Sequence, residues 1–150
     1  MKQLQILLPP VYLLLALIVM GLFDYFLPAL EFIPAPWRYA GLPILGTGLG
    51  VIIACSVLFK RAGTPIIPFE KSTSLLTHGI YRYTRNPIYL GMLIILAGAA
   101  VFLGSLTPFL VLPVFFFIIQ EGYIRHEEPF LERIFGEQYR AYRRRVRRWL

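Results

Sequence analysis

Four apolar runs, at about 9–27, 40–59, 87–103 and 106–120, constrain this chain more than any other feature. A helix crosses a bilayer with roughly 20 mostly apolar residues. Backbone groups in lipid must be satisfied internally, which leaves helices or closed barrels as spanning structures. Each run is slightly short, and tilting or local thinning of the bilayer accommodates that. Gly104-Ser105 alone separates the last two runs, so they are predicted to form a tight helical hairpin. The 57% hydrophobic content fits a membrane protein better than a soluble domain, and 150 residues suit one domain, 1–150. The expected fold class is therefore all-α integral membrane, with about four transmembrane helices, a C-terminal amphipathic cytosolic helix and no Rossmann domain.

The first run does not read as a cleaved leader. It carries Pro9-Pro10 early and Asp24-Tyr25 late, without a small-x-small cleavage site. Proline in a first helical turn loses nothing by lacking an N–H.

Charge gives the direction. Lys2 precedes the first run; Lys60, Arg61, Lys71, Arg82 and Arg85 lie between the second and third; eight arginines from Arg125 to Arg148 follow the fourth. Only Arg38 lies between the first two runs, beside Trp37 and Tyr39, which read as an interfacial belt. The positive-inside rule then places both termini, the 60–86 loop and the 121–150 region in the cytoplasm.

Several motifs invite a bland explanation. Gly46-Thr47-Gly48-Leu49-Gly50 lies inside a span, not after a strand, so it is no dinucleotide fingerprint. Gly46 and Gly50 are expected to allow close helix packing. Asp24 is near enough to a span end to reach the interface. Cys55 is expected to be a small buried apolar residue. His78 and His126 lack a metal-ligand pattern, so no metal is expected. Leu131, Phe135, Tyr139, Tyr142, Val146 and Trp149 recur at helical spacing opposite an arginine-rich face. That describes an amphipathic helix on anionic headgroups, with no nucleic-acid role. Gly136 is expected to break or cap it.

Two polar blocks remain, both on the predicted cytoplasmic side. In Arg85-Asn86-Pro87, Asn86 suits an N-cap and Pro87 the first helical position. The same helix start, with Arg85 beside it, suits an anionic ligand group. Glu127-Glu128 could be surface acids paired with Arg125 and Arg133. Facing His78, Tyr81 and Arg85, they could instead hold an ammonium group.

At these blocks the chain resembles the membrane methyltransferases of the isoprenylcysteine carboxyl methyltransferase and phospholipid N-methyltransferase superfamily. The matching residues are Gly79, Tyr81, Arg85, Asn86, Pro87 and Tyr89, then Glu127, Glu128, Leu131, Phe135, Gly136, Tyr139 and Tyr142. The resemblance covers roughly 72–148. It implies S-adenosylmethionine as methyl donor and a lipophilic acceptor entering from the bilayer. Carried across, Leu75 and Leu76 border adenine and ribose. Tyr81, Asn86, Pro87 and Tyr89 line the cofactor with His78 and Arg85, and Glu127 holds its amino-acid end. Glu128 and Arg125 are the candidate catalytic residues, Glu128 as a proton acceptor where the nucleophile needs one. Two departures bear on the acceptor: prenylcysteine enzymes usually carry His at the position of Asn86 and an arginine at that of Tyr123. Two other classes stay open. An NADPH-dependent membrane reductase of sterol-reductase type would prefer NADPH. A non-catalytic membrane subunit would bind no cofactor and depend on its arginine tail.

Overall fold

A computed structural model describes residues 8–64 and 74–150. Lys2 and Lys71 of the charge count, and residues 65–73 of the 60–86 loop, lie outside the described residues. Most of the described residues are helical, and among them the one β-type contact is an isolated antiparallel bridge between Glu31 and Ser105. Helix α1 (Pro9–Phe26) starts on its proline pair as expected. A 3-10 turn (Trp37–Ala40) leads into α2 (Gly41–Ala62), and α3 covers Pro87–Leu103. The fourth run begins with a 3-10 turn (Thr107–Leu110) and continues through α4 (Val111–Ile119), a π turn (Gln120–Ile124) and α5 (Arg125–Phe135). Helix α6 (Glu137–Arg145) follows.

Three of these helical stretches, Pro9–Phe26, Trp37–Ala62 and Thr107–Phe135, are long and apolar enough to cross a membrane. Helix α3 is apolar throughout but has 17 residues, a length of about 25 Å. It is the central element: Met92, Leu96, Ala99 and Ala100 are buried in a core shared with Ala16 and Met20 of α1 and Val111, Phe115 and Ile119 of α4. The chain is thus an all-α integral membrane protein.

Glycines set the contact between α2 and α3, but not those expected. Gly46 and Gly50 face open space. Gly41 lies against Gly98, and Gly48 against Gly91, in antiparallel register with the contacts seven positions apart on each helix. A Cβ on Gly41 would stand 2.3 Å from the Gly98 carbonyl oxygen, and one on Gly48 would stand 2.6 Å from that of Gly91. The backbones therefore touch, and dispersion between closely packed helices replaces the hydrophobic drive that lipid cannot supply. The spacing of four at Gly46 and Gly50 identifies a smooth stripe; the partner's position selects the stripe through 41 and 48.

At the end remote from the polar blocks, the α3–α4 connection is tied to α1. Ser105 Oγ donates to Asp24 Oδ1 at 2.6 Å, and Thr107 Oγ1 donates to the Leu27 carbonyl at 2.9 Å. Phe32 and Ile33 donate their N–H groups to the Gly104 carbonyl. Asp24 therefore anchors a turn. Cys55 of α2 is fully buried in a cluster with Leu76 and Tyr81, as its place in an apolar run suggested.

The periodicity from Leu131 to Trp149 is broken twice. Gly136, at φ 53°, separates α5 from α6, and Val146 turns extended (φ −119°, ψ 132°). Val146–Leu150 is consequently a strap and not a helix. Trp149 Nε1 donates to Gln120 Oε1 at 2.9 Å, and its ring lies 4.9 Å from that of Phe116.

Gly98→Ala is expected to destabilise the protein by about 1–3 kcal/mol, because its Cβ would stand 2.4 Å from the Leu45 backbone nitrogen. Gly46→Ala should not destabilise it. Thermal unfolding of both variants in detergent measures the difference.

Candidate active site

The sequence places ionisable groups where the apolar stretches end, and the helices then bring two such ends together. Pro87 starts α3 immediately after Arg85 and Asn86. The fourth run, continued without a break through the π turn, carries Glu127 and Glu128 back to the same level. Between them is a cavity of about 350 Å³. Its wall is predominantly apolar, with Ile52, Phe59, Leu76, Met92 and Leu131 among its residues. Ser74, Arg85, Asn86, Glu127 and Glu128 supply polar groups.

Each glutamate has a different partner. Tyr89 Oη donates to both oxygens of Glu127, at 3.1 and 3.0 Å, which fixes that carboxylate against α3. Glu128 is buried between two guanidinium groups. Arg148 grips it in fork geometry, Nε to Oε1 at 3.0 Å and Nη2 to Oε2 at 2.7 Å. Arg85 touches it once, Nη2 to Oε1 at 3.1 Å. The surface pairing with Arg125 and Arg133 does not form. Arg125 pairs with Glu121 at the exposed helix surface.

Arg85 is the most unusual group in the site. Its side chain is 9% exposed, yet Nε and Nη1 have no hydrogen-bond partner among the described residues. Ser74 Oγ is likewise buried and unpartnered among them. Buried donors left unsatisfied are costly, more so when charged. Two guanidiniums around Glu128 leave one positive charge over at that point, and Glu127 in the same cavity supplies a negative one, so the arrangement suits a ligand end that carries both signs.

The loop is fastened to the C-terminal strap. The Arg85 N–H donates to the Arg147 carbonyl at 3.0 Å. Asn86 Nδ2 and Thr84 Oγ1 donate to the Arg148 carbonyl at 2.9 and 3.2 Å. Asn86 occupies the N-cap position of α3 but does not cap it, because its amide is engaged by the strap. Tyr142 Oη donates to the Tyr81 carbonyl at 2.7 Å. Burial pushes the hydroxyls of Tyr81 and Tyr142 upward in pKa, and pushes Tyr139 up to about 12 with Glu128 adding to the effect. All three are neutral at physiological pH. The Glu128 hydrogen bond pushes Arg148 further up, so it stays charged.

Of the residues singled out by sequence, Leu75, Leu76, Tyr81, Arg85, Asn86, Tyr89, Glu127 and Glu128 all line the cavity. His78 is exposed, and neither it nor Arg125 is among the lining residues. Pro87 is buried at the start of α3 without lining the cavity. No group of three or more metal-binding side chains occurs among the described residues. Sequence reasoning missed Ser74, Ile52 and Phe59, and it missed Arg148, which sat among headgroup-binding arginines. The signal that could have singled out Arg148 was its neighbour Trp149, an aromatic anchor at the end of the basic run.

Comparison with known proteins bears on the family. The family profile described as phospholipid methyltransferase matches residues 37–138. A probable protein-S-isoprenylcysteine O-methyltransferase of Oryza sativa subsp. indica is 31% identical over 110 residues, 72% of this chain and 58% of that protein. The Schizosaccharomyces pombe protein-S-isoprenylcysteine O-methyltransferase is 34% identical over 77 residues, 51% of this chain and 33% of that protein. An uncharacterized protein of Haemophilus influenzae is 40% identical over 63 residues, 42% of this chain and its own whole length. The chain thus spans 58% or less of these two named relatives. No solved structure matches. The chain belongs to the phospholipid methyltransferase family of membrane proteins.

Glu128→Ala leaves Arg85 buried and unpaired on that side, and is expected to destabilise the protein by about 3–5 kcal/mol. Arg125→Ala breaks only an exposed pair and should change stability by less than about 1 kcal/mol. Unfolding in detergent compares the two.

Proposed function

We propose that this protein is an S-adenosylmethionine-dependent methyltransferase acting on a lipophilic, membrane-associated acceptor. The observation that carries the reading is the pairing of opposite unmet needs in one cavity: Arg85 offers buried, unpartnered N–H groups, and Glu127 offers a carboxylate held in place by Tyr89. An amino-acid end, with one carboxylate and one ammonium, meets both. The residues present therefore fit that cofactor. Arg85 and Ser74 take its carboxylate, Glu127 takes its ammonium, and the apolar wall around Leu75 and Leu76 takes its ring system.

S-adenosylmethionine supplies a methyl group on a positively charged sulfur. The protein's part is to align donor and acceptor in a largely apolar pocket, where proximity contributes much of the rate. The Tyr89 hydroxyl holds Glu127, and the Tyr142 hydroxyl holds the Tyr81 carbonyl, which keeps the surrounding groups rigid. The acceptor enters laterally, from the bilayer, along the wall formed by α1 and α2 residues such as Pro9, Ile52 and Phe59. Glu128, both of whose oxygens are held by guanidiniums, is not available as a proton acceptor; a carboxylate nucleophile needs none. Arg125 orients no substrate, since it lies outside the cavity. Tyr123 is buried between the rings of Tyr12 and Tyr89, so the position where prenylcysteine enzymes usually carry an arginine offers no cation. The prevalence of Lys and Arg around the site and the C-terminal region supports a cytoplasmic site and cytoplasmic termini.

The geometry speaks against the NADPH reading. A dinucleotide asks for several phosphate-binding donors, whereas the buried cation with spare donors among the described residues is Arg85 alone.

Calorimetry on detergent-purified protein should show binding of S-adenosylmethionine and of its demethylated product. Glu127→Ala is expected to weaken both by about tenfold or more, the worth of a hydrogen bond between charged groups. Undiminished affinity in that variant, or binding of NADPH instead, would refute the reading.

A further inference from the structure

Resting on the amino-acid-end reading above, we propose that Arg148 is a positioning residue for cofactor binding. By occupying both oxygens of Glu128, it keeps Nε and Nη1 of Arg85 free for the ligand carboxylate.

Guanidinium and carboxylate pair best through two parallel N–H···O bonds. Glu128 has two candidate partners for that geometry, and Arg148 has it. Arg85 is confined to a single contact through Nη2. Its other donors are buried at the cavity with no partner among the described residues. Take away the Arg148 side chain, and Oε2 of Glu128 loses its donor. Arg85 is then the nearest cation able to close a two-point pair, and closing it consumes donors that the ligand needs. The unused donors of Arg85 thus follow from a competition that Arg148 wins.

The role of this side chain is separable from docking of the strap. The strap is held by backbone carbonyls: that of Arg147 accepts from the Arg85 N–H, and that of Arg148 accepts from Thr84 and Asn86. Trp149 anchors it further on Gln120 and Phe116. None of these contacts uses the Arg148 guanidinium, so Arg148→Ala should leave the strap in place.

The test is calorimetric binding of the demethylated cofactor product to the full chain in detergent. Arg148→Ala is expected to bind about tenfold more weakly or worse, with Arg148→Lys in between because an ammonium makes no fork. The double variant Glu128→Gln, Arg148→Ala should return to within about threefold of the starting affinity, since a neutral amide cannot hold Arg85 as a carboxylate does. A merely structural role predicts no such rescue. In a Trp37→Phe background, Trp149 fluorescence reports whether the strap is docked, and it should be unchanged in Arg148→Ala. Normal affinity in Arg148→Ala, or no rescue in a folded double variant, overturns the proposal. If the double variant does not fold, the single variants decide: weakened binding with Trp149 docked supports the proposal, and weakened binding with it undocked overturns it. Failure of the unsubstituted protein to bind the product is a different result. It removes the methyltransferase reading itself, and this inference with it.

Discussion

Lipid offers the backbone no hydrogen-bond partners, and the rest of this structure follows from that constraint. Helices must run through the bilayer unbroken, so the groups that can do chemistry are pushed to their ends. Here Arg85 and Asn86 precede α3, and Glu127 and Glu128 follow the fourth apolar run by less than two turns past the π turn. An antiparallel hairpin of these two elements necessarily returns the second to the level where the first began. The site is therefore a consequence of two helix ends meeting, with the α2 end adding apolar wall. No separate soluble fold is needed to build it.

Meeting is made exact enough for chemistry by two kinds of contact. Along the spans, Gly41–Gly98 and Gly48–Gly91 bring α2 and α3 to backbone distance, which fixes the height of one helix against the other. At the mouth, Glu128 draws together the loop before α3 and the C-terminal strap through Arg85 and Arg148. Buried ion pairs are weak evidence for stability, because desolvation offsets much of their attraction. Their value here is geometric: they hold a charged group in a place where it would not otherwise stay. Arg85 keeps donors directed at a cavity because its counter-ion is shared.

Much of this was legible in the chain. The apolar helical class reads from the chain because apolarity over about 20 residues has few meanings, and α3 begins and ends where the sequence placed it; the fourth stretch, expected over 106–120, runs on as helix to Phe135. The two polar blocks read as a site because charge in an otherwise apolar chain costs too much to be incidental. Other residues were misjudged for one reason: periodicity reports what a face could do, not what it meets. Gly46 and Gly50 have the right spacing and no neighbour. Arg125, one residue from His126 and two from Glu127, points to solvent. Trp149 keeps the helical spacing of Tyr142 and Val146 but lies beyond the point where the helix ends.

The sequence by itself determined the membrane class, the helical content, and the residues that gather at one end, because each depends on local composition and on charge. Partnership was decided only by tertiary structure. Which glutamate is held by a tyrosine and which by two arginines depends on how α5 turns after the π turn. Whether an arginine lies on a lipid-facing surface or inside the site depends on a strap that folds back across more than sixty residues of chain separation, from Arg148 to Thr84 and Asn86. Such long-range pairings leave no periodic trace, since they are fixed by geometry that emerges only once the helices have packed.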